Sequence, residues 1–334
     1  MKPGGFAWRL QQSWYQSRPW WWLLPLSLLV ALVARLRFQW FRWRARQPEI
    51  PTLVIGNITV GGTGKTPLVI AIAEHLQQRN LQVAVISRGY GANPPTFPWS
   101  VEADQPASVA GDEPLLLRRR LGCPVIIDPN RRRALQQVLR LHSVDVVISD
   151  DGLQHFRLPR TAEIVLLDAS RGLGNGYCLP AGPLREPASR LQQARWLVLN
   201  GAADARWPQA AVMVLEGQVV INAATGERLL IDDFSARYPQ VQAVAGIGNP
   251  ERFFDSLRGH GLMVVPHAFP DHHPYSAKDL AGFAEHTVLM TEKDALKCLS
   301  FAQPNHWYLP VDARLSPVFL DEVYRLLQQE TTTP

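Results

Sequence analysis

One stretch near residue 56 constrains this chain more than any other. Ile50–Ile55 reads as a short buried strand, residues 56–66 as a glycine-rich loop, and Pro67–Leu76 as a helix with proline in its first turn. The loop is Gly56-Asn57-Ile58-Thr59-Val60-Gly61-Gly62-Thr63-Gly64-Lys65-Thr66. Strand, loop and helix in that order form the context in which such a loop cradles phosphate. The glycines let backbone N–H groups close on phosphate oxygens, and the helix N-terminus adds positive potential. Gly61, Gly62, Thr63, Gly64, Lys65 and Thr66 are therefore the expected nucleotide-binding residues. Lys65 is expected to reach the β- and γ-phosphates, and Thr66 to present its hydroxyl to Mg²⁺. Thr59 stands where the strict consensus has glycine, and the Gly61–Thr66 core compensates.

An acidic element follows at suitable distance. Val144–Ser149 has a buried-strand pattern and runs into Asp150-Asp151-Gly152. A carboxylate at the C-terminal end of an apolar strand is where a P-loop enzyme holds magnesium, directly or through water. Asp151 and Asp150 are both expected metal-site residues, and sequence does not choose between them. The apolar runs Gln82–Ile86, Pro124–Ile127, Glu163–Leu167 and Trp196–Leu199 complete an α/β pattern. The expected fold is a doubly wound, mainly parallel P-loop NTPase-type sheet. The triplets Arg118–Arg120 and Arg131–Arg133 read as solvated helix faces. Leu199-Asn200-Gly201-Ala202 lacks the Asn-Lys-x-Asp form, which argues against a GTPase.

The N-terminal arm has a different character. Residues 1–46 hold Lys2, Arg9, Arg18, Arg35, Arg37, Arg42, Arg44 and Arg46 and no acid, so the rest of the chain is net negative although the total is +5. Seven of the eleven tryptophans lie in the same segment. The basic character thus belongs to one arm, and it does not argue for a nucleic-acid-binding body. Residues 19–34 are uncharged, shorter than the usual span of about 20 residues, and contain Pro25. Tryptophan and arginine at both flanks favour the headgroup zone. Arginine stems snorkel while their heads meet anionic lipid. The arm reads as a membrane contact, and whether it spans or lies flat stays open. With 46% hydrophobic and 19% charged residues, the whole is an ordered globular chain. Cys123, Cys178 and Cys298 are too scattered for a zinc knuckle or a disulfide framework.

Several loops carry reactive residue types: Ser87-Arg88-Gly89-Tyr90, Gly111-Asp112-Glu113-Pro114, Gln154-His155, Pro180–Pro187 and Asp271-His272-His273. Singly each has a bland reading; Asp112, for one, suits a helix cap. In order, however, these segments resemble the tetraacyldisaccharide 4′-kinase family of lipid A biosynthesis. Asp150-Asp151-Gly152-Leu153-Gln154-His155 and Leu179-Pro180-Ala181-Gly182-Pro183-Leu184-Arg185-Glu186 are the most specific stretches. Gly246-Ile247-Gly248, Pro250, Phe253-Phe254 and Thr291-Glu292-Lys293-Asp294-Ala295 extend the resemblance to about residue 300.

The resemblance implies a reaction. ATP, with Mg²⁺, would phosphorylate the 4′-hydroxyl of an acylated glucosamine disaccharide 1-phosphate to give lipid IVA. It implies an arm over 1–46, a P-loop core over 47–208, a β linker over 209–240 and a smaller α/β domain over 241–330. Asp112 would take the hydroxyl proton with His272 paired to it, and Asp271 and Lys65 would complete the catalytic group. Arg88, Glu113, His155, Arg185 and Glu186 would stand round the phosphates, metal or substrate. The expected location is the cytoplasmic face of the inner membrane, with no obligate protein partner. The rival reading is a membrane-attached P-loop ATPase that drives a partner. A third is a soluble small-molecule kinase whose arm is a packing helix.

Overall fold

The computed structural model describes residues 6–15, 19–44 and 46–332. Lys2 and Arg18, two cations of the expected membrane contact, lie outside the described residues. The arm forms α1 (Phe6–Ser13) and, after one 3₁₀ turn, α2 (Leu24–Trp43). The body starts with β1 (Thr52–Gly56), α3 (Lys65–Gln77), β2 (Val83–Ser87) and β3 (Trp99–Ser100). It continues through α4 (Ala107–Ala110), α5 (Asp112–Leu121), β4 (Val125–Ile127), α6 (Arg131–Leu141) and β5 (Val146–Asp150). Then come β6 (Ala162–Asp168), β7 (Trp196–Asn200) and β8 (Ala211–Glu216). The next stretch holds β9 (Val219–Asn222), β10 (Arg228–Leu230), α7 (Ile231–Arg237), β11 (Gln240–Ala245) and α8 (Pro250–Gly259). It ends with β12 (Met263–Ala268), α9 (Ala277–Leu280), β13 (Val288–Thr291), α10 (Glu292–Cys298) and β14 (His306–Leu309). β15 (Asp312–Leu315) and α11 (Pro317–Thr332) close the described chain.

Two sheets organise these strands. The first has the order β15-β8-β7-β6-β1-β5-β2-β4-β3, and the second β10-β9-β14-β13-β11-β12. The strand that carries the P-loop sits inside the first sheet, parallel to β5 on one side and β6 on the other. Every residue of β1 and of β5 is buried, because helices cover both faces. That is why these strands read as unbroken apolar runs. Ile55 pairs with Asp150, so the P-loop and the acidic pair leave the same sheet edge. α3 and α5 pack on one face with Leu68, Leu76 and Leu117, while α6 packs on the other with Leu135 and Val138.

The stretch 209–240, expected as a linker, is divided between the sheets. β8 extends the first sheet beside β7, and β9 and β10 begin the second. The chain then returns. β15 pairs antiparallel with β8, and Phe319, Val323 and Leu327 of α11 are buried in the first core. Residues 312–332 thus complete the P-loop layer, although their sequence follows the second sheet. The cause is non-local: β8 needs a partner strand, and the apolar face of α11 needs a surface to cover.

Candidate active site

The P-loop is held by more than its own glycines. Gly64 caps α3 in the left-handed region, φ 93°, and a Cβ there would stand 2.6 Å from Asn200 Nδ2. Only glycine meets both demands. Asn200, at the end of β7, is buried. Its Nδ2 donates to the Thr63 carbonyl at 2.8 Å, and its Oδ1 accepts from Arg252 Nη2 at 2.7 Å. Arg252 lies on α8, under the second sheet, so this residue ties the second lobe to the loop. Lys65 Nζ donates to Asn57 Oδ1 at 3.2 Å and stands 3.6 Å from Asp151 Oδ1.

The acidic pair is electrostatically divided. Asp150 is 1% exposed, and its Oδ1 has no hydrogen-bond partner. Burial and the charges of Glu113 and Asp151 push its carboxyl up to about 7, against the pull of Lys65 and Arg131. Asp151, in a left-handed turn at φ 47°, is also disfavoured by burial, but Lys65, Arg185 and Arg131 outweigh that and hold it below the usual carboxylate range. Arg131 overturns the reading of its triplet as a solvated face. It is 1% exposed and donates to the carbonyls of Asp128, Asp150 and Asp151 at 3.0, 3.3 and 3.4 Å. The first position of α6 points into the sheet edge, and only its two neighbours stay in water.

A buried carboxylate without a donor is short of a cation. Asp150, Asp151 and the Thr66 hydroxyl offer oxygen donors, the chemistry Mg²⁺ takes, with phosphate oxygens and water completing its shell. Thr63 Oγ1 is likewise buried without a partner. Among the described residues, no three His, Cys, Asp or Glu side chains form a metal cage of their own.

Asp112 is the first residue of α5; the cap position belongs to Gly111, at φ 84°, and Asp112 makes no side-chain cap. Its carboxylate is turned toward the second lobe. His272 Nδ1 lies 3.1 Å from Asp112 Oδ2. His272 holds φ 61°, its ring beside that of Tyr90 at 4.8 Å between centroids. Burial works against ionisation of Asp112, but the bond from His272 and the charges of Lys297 and Lys293 hold it below the usual range. His273 turns elsewhere, 3.5 Å from Asp279. The two histidines therefore do not share one ligand.

The remaining expected residues divide into two sets. Glu113 and Asp271 face the cleft between the lobes and share Lys293, at 3.2 and 3.5 Å. Arg185 reaches Asp151 at 3.5 Å. Arg88 is exposed after β2. Glu186 is buried and committed, to Gln154 at 2.8 Å and Arg190 at 3.2 Å. His155 is held down at about 4 by burial and by Arg131, Arg88 and Arg160. The cleft, about 260 Å³, runs from Gly62–Pro67 to Ile247–Asn249, Phe253 and Leu309. Asn57, Arg131, Asn200, Arg252 and Lys297 escaped the sequence reading. A polar residue where an apolar strand ends was the signal for Asn57 and Asn200; Arg131 and Arg252 lie on helices and gave none. Lys297 lies one turn beyond Lys293 and Asp294, a spacing that puts charges on one helix face.

Comparison with known proteins agrees with this geometry. Residues 19–328 match the family described as Tetraacyldisaccharide-1-P 4′-kinase. The chain is 51% identical over 315 residues to a Tetraacyldisaccharide 4′-kinase of Alcanivorax borkumensis, covering 94% of this chain and 95% of the relative. It is 52% identical over 319 residues to the Pseudomonas aeruginosa protein of the same name, covering 94% and 96%. In structure it is similar to LpxK from Aquifex aeolicus, solved in complex with ATP. The TM-score is 0.76 at 27% identity, over 92% of this chain and 98% of that one.

Proposed function

The chain belongs to the tetraacyldisaccharide 4′-kinase family, an ATP-dependent lipid kinase family of lipid A biosynthesis, and from that premise we propose how its residues carry out the transfer. The acceptor is the 4′-hydroxyl of an acylated glucosamine disaccharide 1-phosphate. Asp112 takes the proton of that hydroxyl, and His272 orients the carboxylate and keeps it charged. The observation that carries this reading is the 3.1 Å contact between them at the rim of the P-loop cleft. A sugar alcohol is a poor nucleophile at neutral pH, so a positioned base contributes to the rate.

Lys65 neutralises charge on the β- and γ-phosphates while the P-loop N–H groups hold them. Thr66, Asp150 and Asp151 would hold Mg²⁺, which when bound would offset charge on the phosphates. Arg185 and Arg131 steady Asp151 and the turn it occupies. Asp271 and Glu113 line the cleft with Lys293 between them, Arg88 and His155 form the outer ring, and Glu186 supports it through Gln154 and Arg190. Asn200 and Arg252 hold the second lobe down on the loop, which keeps water from the phosphates.

The arm serves the substrate. Trp21–Trp43 is apolar and long enough to cross a bilayer by length and composition alone. One face is fastened to the body. Ser27 Oγ donates to the Cys178 carbonyl at 2.7 Å, Val30 and Ala31 join the second core, and Phe38 meets Phe156 at 5.5 Å. Leu29, Val33, Leu36, Trp40 and Trp43 repeat on the other face and are exposed. A helix fastened along its length lies in the membrane surface and does not cross it. Beside its end, exposed Arg42, Arg44, Arg46, Arg132, Arg157 and Arg195 rim a groove of about 650 Å³ that suits anionic headgroups. The location is the cytoplasmic face of the inner membrane, where ATP and the acyl chains meet.

The test is transfer of labelled γ-phosphate from ATP to tetraacyldisaccharide 1-phosphate in mixed micelles, with Lys65→Ala and Asp112→Ala alongside. Label in the lipid, lost in both variants, supports the reading. Acceptor-independent hydrolysis that Asp112→Ala leaves intact overturns it in favour of a partner-driving ATPase.

A further inference from the structure

The helix α10 follows β13 with the sequence Glu292-Lys293-Asp294-Ala295-Leu296-Lys297-Cys298. Its last charge, Lys297, faces Asp112 from the second lobe. Lys297 has a side chain 7% exposed, yet its ammonium stands 2.9 Å from Asp294 Oδ1 and 3.5 Å from Asp112 Oδ2. Its Nζ also lies 5.0 Å from the centroid of the Tyr275 ring. Asp294 is wholly buried and fixed in turn. Its Oδ2 accepts from the Gly246 N–H at 2.8 Å and from the Thr291 hydroxyl at 2.6 Å.

A buried lysine is costly unless charges of the opposite sign meet it. Here two do, and they differ in kind. Asp294 belongs to the fold of the second lobe, whereas Asp112 comes from the first. We propose that Lys297, anchored by Asp294, is a positioning residue for Asp112: its ammonium meets Oδ2, the oxygen that also faces His272, and fixes the carboxylate there. This inference rests on Asp112 being the base.

The charge balance supports the role. Asp294 balances the charge of Lys297 within the second lobe, while the ammonium still faces Asp112 and favours its ionised form. When Asp112 takes the proton from the sugar hydroxyl, it becomes neutral and the Lys297–Asp294 pair remains balanced. Without Lys297, Asp294 becomes an unopposed buried charge beside Asp112. Both the lost cation and the unopposed anion then favour the protonated carboxyl. The groups facing Asp112 are His272, Lys293 and Lys297, with Tyr275 and Asp294 behind them.

The experiment is the pH profile of kcat/KM for transfer in mixed micelles by the full-length protein, for wild type, Lys297→Met, Lys297→Arg and Asp112→Asn. The acidic limb is expected to move up by about one pH unit in Lys297→Met, with kcat down on the order of tenfold and the KM for ATP little changed. Lys297→Arg should restore the limb. A limb that does not move in a folded Lys297→Met overturns the inference. If that variant fails to fold, a limb that Asp294→Asn leaves in place overturns it, because the anchor then has no bearing on the base. Asp112→Asn separates the two readings: retained activity there removes the base itself, whereas loss there with an unmoved limb in Lys297→Met removes only the role of Lys297.

Discussion

His272 Nδ1 and Asp112 Oδ2 are 3.1 Å apart although 160 residues separate them in the chain. One sits at the start of α5 in the P-loop layer, the other in the loop after β12 of the second sheet. The proposed base, Asp112, thus meets its histidine only across the two lobes. That links proton transfer to exclusion of water.

Replacing Asp112 by Asn keeps the shape and removes the proposed proton acceptor. The kcat for lipid phosphorylation should fall by a factor on the order of 10²–10⁴, with nucleotide binding nearly unchanged. Single-turnover transfer and a separate nucleotide titration read the two quantities. A loss confined to binding would contradict the assignment.

Asn200→Ala removes a buried side chain that serves both the loop and the second lobe. A lost buried hydrogen bond of this kind costs about 1–3 kcal/mol, so nucleotide affinity should drop on the order of tenfold. Arg252→Ala should show part of the same loss. Unchanged affinity in Asn200→Ala would mean that the Thr63 carbonyl is held well enough by the loop alone.

His155 gives the protein a pH dependence. Its folded value, about 4, lies below the 6.5 of the free side chain. Between those values the unfolded chain binds more protons than the folded one, so stability falls as pH falls through that window. Half-buried His75 and His267 and buried His306 are shifted the same way and add to the trend. Thermal melts from pH 7 to 5 should decline less steeply for His155→Gln. Parallel curves would refute the contribution.

The exposed stripe on α2 predicts its own measurement. Leu29→Ser with Leu36→Ser removes two apolar side chains, each worth about 1.5–3 kcal/mol when buried, so flotation with anionic vesicles should largely be lost. Transfer to acceptor dispersed in detergent should change little. Retained flotation would show that arginines alone hold the protein to the surface.

Much of the first lobe was legible because its signals are local. The order of strand, glycine-rich loop and helix around Gly61–Thr66 is dictated by neighbours in the chain. β5 and its acidic end announce themselves by an apolar run that stops at two carboxylates. The arginine triplet at Arg131 was misread because periodicity gives the face of a helix, not what lies beyond its first turn. The 209–240 stretch was read as one unit for a similar reason: a strand's sequence records that it pairs, not which sheet it joins.

By itself, then, the sequence determined the strand, glycine-rich loop and helix of the P-loop, the apolar strands and the apolar, arginine-flanked arm. Each depends on residue types within a few positions of one another. The tertiary structure decided which carboxylate meets which histidine, that Asn200 and Arg252 clamp the loop, and that β15 and α11 return to the first layer. Those contacts span long stretches of chain. They form because two cores and two sheets bury apolar surface together, and that collective burial has no local signature.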